Sequence, residues 1–136
     1  MWDARAEADR WYRQAENDLA FARIAVRERF HAQACFIAQQ AAEKAVKSIA
    51  YGLGERTVIG HSLVVLGSRY ADRVPELQDL REQAGVLDQY YVPTRYPNGL
   101  AGGVPFEAFG ESQASAAVDA AERFVRLAER LGQIGA

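Results

Sequence analysis

Residues 32–51 read AQACFIAQQAAEKAVKSIAY, and this stretch decides the fold. Ala34, Ala38, Ala41, Ala42, Ala45 and Ile49 recur at three- and four-residue spacing, the repeat of one helical face. Side chains this small let a neighbouring helix come close. Beside that face runs a short polar stripe, Gln40, Glu43, Lys44 and Lys47. Two readings of the stripe stand side by side. In one it is a solvated face, with Glu43 and Lys47 as an i,i+4 ion pair worth about 0.3–0.5 kcal/mol. In the other it walls a cleft in which Lys44 or Lys47 meets a phosphate, and these are the only two lysines of the chain.

Upstream, residues 3–29 form one long predicted helix, free of Gly and Pro, with Trp11, Ala15, Leu19, Ala22 and Val26 as its apolar stripe. The joint near Phe30 and His31 is short, so the first two helices are expected to pack antiparallel. Downstream, Gly52-Leu53-Gly54 supplies a helix stop. The run from His61 to Gly67 is ambiguous by composition, since Val64 and Val65 favour a strand. It is read as a short helix because no second strand exists to pair with it. Pro75 opens a fourth helix carrying Leu77, Leu80, Ala84, Leu87 and Tyr91, which stops at Pro93. Pro93, Pro97 and Pro105 with four glycines leave 92–110 as a loop without helix, although Tyr96, Phe106 and Phe109 give it aromatic content that a solvated linker does not need. A last helix covers about 112–131, with Ala114, Ala117, Val118, Ala121, Val125 and Ala128 on its buried face. The expected architecture is all-α: a single domain, 1–136, forming an up-and-down antiparallel bundle of about five helices, two long, a short third, then two more.

Composition narrows the function classes. A net charge of -2 excludes a generic basic nucleic-acid coat, though not a local basic patch. The single cysteine, Cys35, sits in the apolar helix and reads as a core residue; one thiol makes no intrachain disulfide, which fits a reducing cytoplasm. The charged first residues have no apolar signal region, and no stretch approaches a membrane span. No P-loop spacing, nucleophile elbow or zinc signature is present, and His31 has no second ligand at metal spacing.

Two further groups carry candidate chemistry. His61 precedes Ser62 at a helix start; it serves either the cap or acid–base and phosphate contact. Tyr90, Tyr91, Arg95 and Tyr96 cluster in sequence. An arginine flanked by aromatic rings grips phosphate while a ring stacks on a base, or else the tyrosines close the bundle end and Arg95 pairs with an acid. Trp2 and Trp11 read as core or dimer-interface residues.

Five pieces in order resemble the HEPN domain family (higher eukaryotes and prokaryotes nucleotide-binding): Trp11 with Ala15, Asp18 and Leu19; Ala34-Cys35-Phe36; Gln40 through Lys47; His61-Ser62-Leu63; and Arg95-Tyr96-Pro97. The resemblance spans roughly Asp9 to Leu131. It implies a bundle of about five helices that forms a homodimer, often paired with a small nucleotidyltransferase in a toxin–antitoxin-like system. It also implies nucleotide binding in part of the family, and in other branches metal-independent RNA cleavage by an Arg, four to six residues, then His. This chain departs from that last branch. No histidine follows Arg95, and the one match, Arg56 to His61, stands in the loop after the second helix. The expected role is a non-catalytic dimeric module binding a nucleotide or a partner nucleotidyltransferase, without cofactor. Its candidate ligand residues are Gln40, Glu43, Lys44, Lys47, His61, Tyr91, Arg95 and Tyr96. The alternative is a ribonuclease acting at a dimer cleft.

Overall fold

The computed structural model describes residues 2–134. Its helices are α1 (Ala4–Arg27), α2 (His31–Gly52), α3 (Leu63–Tyr70), α4 (Glu76–Asp79), α5 (Arg81–Asp88), α6 (Pro105–Ala108) and α7 (Glu111–Ile134). No strand occurs among the described residues, so the all-α expectation holds.

Asp3 starts α1 by accepting the Ala6 N–H on its side chain. The helix ends at Glu28, and Arg29 takes a left-handed φ of 69°, a position that glycine usually fills. The Phe30 N–H then returns to the Ala25 carbonyl at 2.8 Å, and α2 begins at the next residue. This tight reversal sets α1 and α2 antiparallel and side by side. At the other end of α2, Gly54 takes φ 107° while the Glu55 N–H reaches the Ala50 carbonyl.

Helix α2 is the spine. Its alanines at 34, 38, 41, 42, 45 and 50 are fully buried, and α1, α7, α3 and α5 pack around it. Methyl groups at the contacts are the side chains that allow close helix approach. Only one stripe stays open: Gln33, Phe36, Ile37, Gln40 and Lys44 are exposed or half-buried, and they too recur every three or four residues. From α7, Ala114, Ala117, Ala121, Phe124 and Val125 complete the core, Phe124 being its largest fully buried side chain. Across the α1–α7 seam, Arg126 bonds Glu16 and Glu129, and the Tyr12 hydroxyl donates to Glu129 at 2.7 Å.

Three expectations are corrected. The fourth helix is two short helices with a break at Leu80, whose φ −94° and ψ 9° leave helical geometry. Leu77, Leu80, Ala84 and Leu87 are all buried across the break, so tertiary packing is kept although the helix is not continuous. The pair ends at Asp88 rather than at Pro93; Tyr90 is buried and Tyr91 is only half-buried. Inside 92–110 a single 3-10 turn forms at Pro97–Gly99 and one α-turn at Pro105–Ala108, because proline at the first helical position is preorganised and loses no hydrogen bond. The segment is also anchored. The Thr94 hydroxyl bonds the Tyr90 carbonyl, Phe109 meets Tyr90 edge-on at 5.8 Å, and Gly99 sits so close that an added Cβ would lie 2.9 Å from Pro93 Cα.

Candidate functional site

The polar stripe of α2 divides into two halves once the neighbouring helices are in place. Glu43 and Lys47 point inward and are 4% and 6% exposed, with Lys47 Nζ 3.2 Å from Glu43 Oε2. Gln40 and Lys44 stay on the open stripe. Lys44 pairs with Asp18 of α1, so it is already neutralised. Gln40 donates to Gln39 Oε1 at 2.7 Å. The solvated-face reading therefore fails for Glu43 and Lys47, although their i,i+4 pairing is as expected.

Gln39, which sequence reading passes over, is fully buried. Its amide donates to the His61 carbonyl at 3.0 Å and lies 3.5 Å from Glu43 Oε1. The one signal for it is its spacing of four from Glu43 on an otherwise alanine-lined face. A buried amide, carboxylate and ammonium are costly to desolvate, so a cluster of them in an alanine core marks a candidate site. Lys47 also lies 5.7 Å from the Trp11 ring centre, and Trp11 packs on Tyr51.

His61 completes the cluster from the loop side. Its Nδ1 stands 3.1 Å from Glu43 Oε1. A carboxylate only accepts, so Nδ1 carries the hydrogen and Nε2 is left free. The ring side chain is 58% exposed and stacks on Tyr91, centre to centre 4.9 Å with planes 18° apart. Its neighbour Ser62 is the cap: the Ser62 hydroxyl oxygen accepts the Val65 N–H at 3.1 Å. Asp88, at the end of α5, accepts the Leu63 and Val64 N–H groups and the Ser62 hydroxyl. That carboxylate anchors the first turn of α3 and with it the position of His61; no local sequence signal pairs residues 62 and 88.

Arg95 lies on the same edge. Its guanidinium carbon is 4.4 Å from the Phe36 ring centre, 4.7 Å from Tyr91 and 5.1 Å from Tyr96. Its Nε donates to the Tyr91 carbonyl at 2.8 Å. No carboxylate among the described residues lies within ion-pair distance of it, which removes the reading in which Arg95 pairs with an acid. Tyr91 is thus the shared wall, with His61 and Arg95 both against its ring. Its surface is taken, whereas Tyr96 is 52% exposed and offers a ring to a ligand.

The remaining residues lie elsewhere. Arg56 sits over the Trp2 ring at 5.4 Å, while His61 bonds Glu43 and stacks on Tyr91, so the pair matched by spacing is not brought together as a unit. Cys35 is buried, and burial pushes its thiol up to about 11. Among the described residues no group of three metal-ligating side chains converges. A groove of about 590 Å³ between α4 and α7 contains none of the site residues. Arg126 and Arg130 in its lining are already paired with carboxylates.

Fold and site together define a small helical-bundle domain with a polar, aromatic-walled edge where α2, α3 and the segment after α5 meet. The HEPN domain model matches residues 8–131, and the chain belongs to that family. Among solved structures, TT1696 from Thermus thermophilus is 36% identical, with a TM-score of 0.86 over 90% of this chain and 96% of its own. ST0689, an archaeal HEPN homologue, is 32% identical, with a TM-score of 0.73 over 92% of this chain and 97% of its own. No curated protein matches the sequence.

Proposed function

We propose that this single domain is a non-catalytic binding module, and that its His61–Tyr91–Arg95–Tyr96 edge takes a nucleotide or another phosphate-bearing aromatic ligand. The observation that carries the reading is Arg95. A guanidinium held among three rings, with only Nε engaged, presents its remaining N–H groups to an anion. The exposed ring of Tyr96 beside it suits a base. Isothermal titration with ATP, GTP and short RNA tests the reading. Binding that Arg95→Ala weakens at least tenfold supports it, and silence with every ligand refutes it. The partner half is a minimal nucleotidyltransferase, tested by co-purification with the neighbouring gene's product.

The module acts as a homodimer in this reading. Phe21, Ile24 and Phe30 are 45–57% exposed along α1 and its turn, beside the open stripe of α2 with Phe36 and Ile37. Sedimentation giving a monomer at micromolar concentration refutes this part.

One observation favours a second reading, RNA cleavage: the carboxylate behind His61 orients an imidazole for proton transfer. Incubation with total RNA decides it. Cleavage lost in both His61→Gln and Arg95→Ala supports a ribonuclease, and intact RNA with the wild-type protein excludes one.

A further inference from the structure

We propose that anion binding at this edge takes up a proton, with His61 Nε2 as the proton acceptor and Glu43 as the residue that fixes which nitrogen responds. The inference rests on the binding reading above and adds its regulation. Glu43 accepts from Nδ1 whether the imidazole is neutral or charged, so the added proton has one place to go. In the neutral ring Nε2 presents a lone pair, which repels the oxygens of a phosphoryl or sulfate group. In the protonated ring the same atom is a charged donor, and the ring shares its Tyr91 contact with the Arg95 guanidinium. One hydronium or buffer proton is consumed per anion bound, and no covalent bond changes.

The groups around His61 agree with a single titrating switch. From α2 it faces Glu43, itself paired with Lys47, and the neutral Gln39 amide. From the segment after α5 it faces the Tyr91 ring, with Arg95 beyond it. Asp88 of α5 bonds the residue next to His61 along the chain but is occupied by Ser62 and the α3 amides. Binding and protonation are reciprocal, so an anion that prefers the charged ring must also hold the proton on.

Inorganic sulfate is a suitable probe, because it does not titrate in the range of about pH 5.5–8.5 where an imidazole does. The His61 ring resonances, assigned with His61→Gln, are followed by NMR against pH in sulfate and in chloride of equal ionic strength. Sulfate is expected to displace the His61 titration to higher pH. Its affinity is expected to fall toward tenfold per pH unit above the midpoint, and His61→Gln is expected to abolish that slope. Arg95→Ala should weaken sulfate at every pH while keeping the slope. Sulfate that binds with equal affinity across the range, or a slope that survives in His61→Gln, overturns the proton coupling and leaves the binding reading standing. Absence of sulfate binding even at the acid end overturns both.

Discussion

Removing the Glu43 carboxylate is the most informative perturbation of this molecule. In Glu43→Ala the Lys47 ammonium, with a side chain 8% exposed, stays buried with no counter-charge, and the His61 ring and Gln39 amide lose their shared acceptor. A buried ion pair broken on one side costs about 3–5 kcal/mol, most of it from the stranded charge rather than the lost attraction. Exposed pairs are screened and cost far less, but neither partner here reaches solvent to that extent. The loss should therefore lie in that range of about 3–5 kcal/mol, a large share of a small domain's stability. Removing both charges relieves the penalty, so Glu43→Gln with Lys47→Met should return to within about 1 kcal/mol of the wild type. Lys47→Met alone should cost less than Glu43→Ala, because Glu43 keeps His61 and Gln39 as donors. Urea unfolding followed by far-UV circular dichroism reads the midpoint, with the slope checked for constancy. A Glu43→Ala cost below about 1 kcal/mol, or a double variant worse than either single one, would refute the burial argument.

Further outcomes are open to direct measurement. Asp88→Ala removes the acceptor for the Leu63 and Val64 amides and should cost about 1–2 kcal/mol, with shifted His61 ring resonances; unchanged resonances would contradict its anchoring of the site. Gly99→Ala places a Cβ 2.9 Å from the backbone Cα of Pro93, so backbone resonances across 93–99 should move and the urea midpoint should fall; an unaltered spectrum would mean the loop is not held there. Cys35 should resist a thiol-exchange reagent at about pH 8 in the folded protein and react in urea, because burial raises its thiol to about 11; fast reaction without denaturant would contradict that burial. Hydrogen bonds from Tyr12 and Arg126 hold the Glu129 carboxyl below the usual glutamate range. Its contribution is therefore complete at neutral pH and fades as acid passes through the lowered value. Glu129→Gln should lose stability less steeply than the wild type below about pH 4, and parallel acid curves would exclude the effect.

The long helices are legible in the sequence because their apolar spacing is strong and uninterrupted. Helix α2 is recognisable as the spine from its alanines alone. The break at Leu80 is not, because Leu77, Leu80, Ala84 and Leu87 keep a continuous helical spacing across it. At the site, Glu43, Lys47, His61, Tyr91, Arg95 and Tyr96 stand out in the sequence, and a chain of pairwise contacts runs from the buried Lys47–Glu43 pair through His61 and Tyr91 to Arg95 and Tyr96. Lys44 sits on the same stripe as Lys47, yet Asp18 takes it; a helical wheel gives the angle of a side chain and not what packs there. Gln39 and Asp88 escape a sequence reading for different reasons. Gln39 looks like one more polar residue beside Gln40, and Asp88 acts across 26 residues of chain.

Both tryptophans of the chain pack on one ring, Tyr51, and Trp11 also faces Lys47. Intrinsic emission is thereby confined to a single corner, where the start of α1 meets the end of α2. Fluorescence then reports the undocking of that corner, while circular dichroism averages over every helix. A transition seen by one probe ahead of the other would locate the first part of the bundle to come apart, with no label attached.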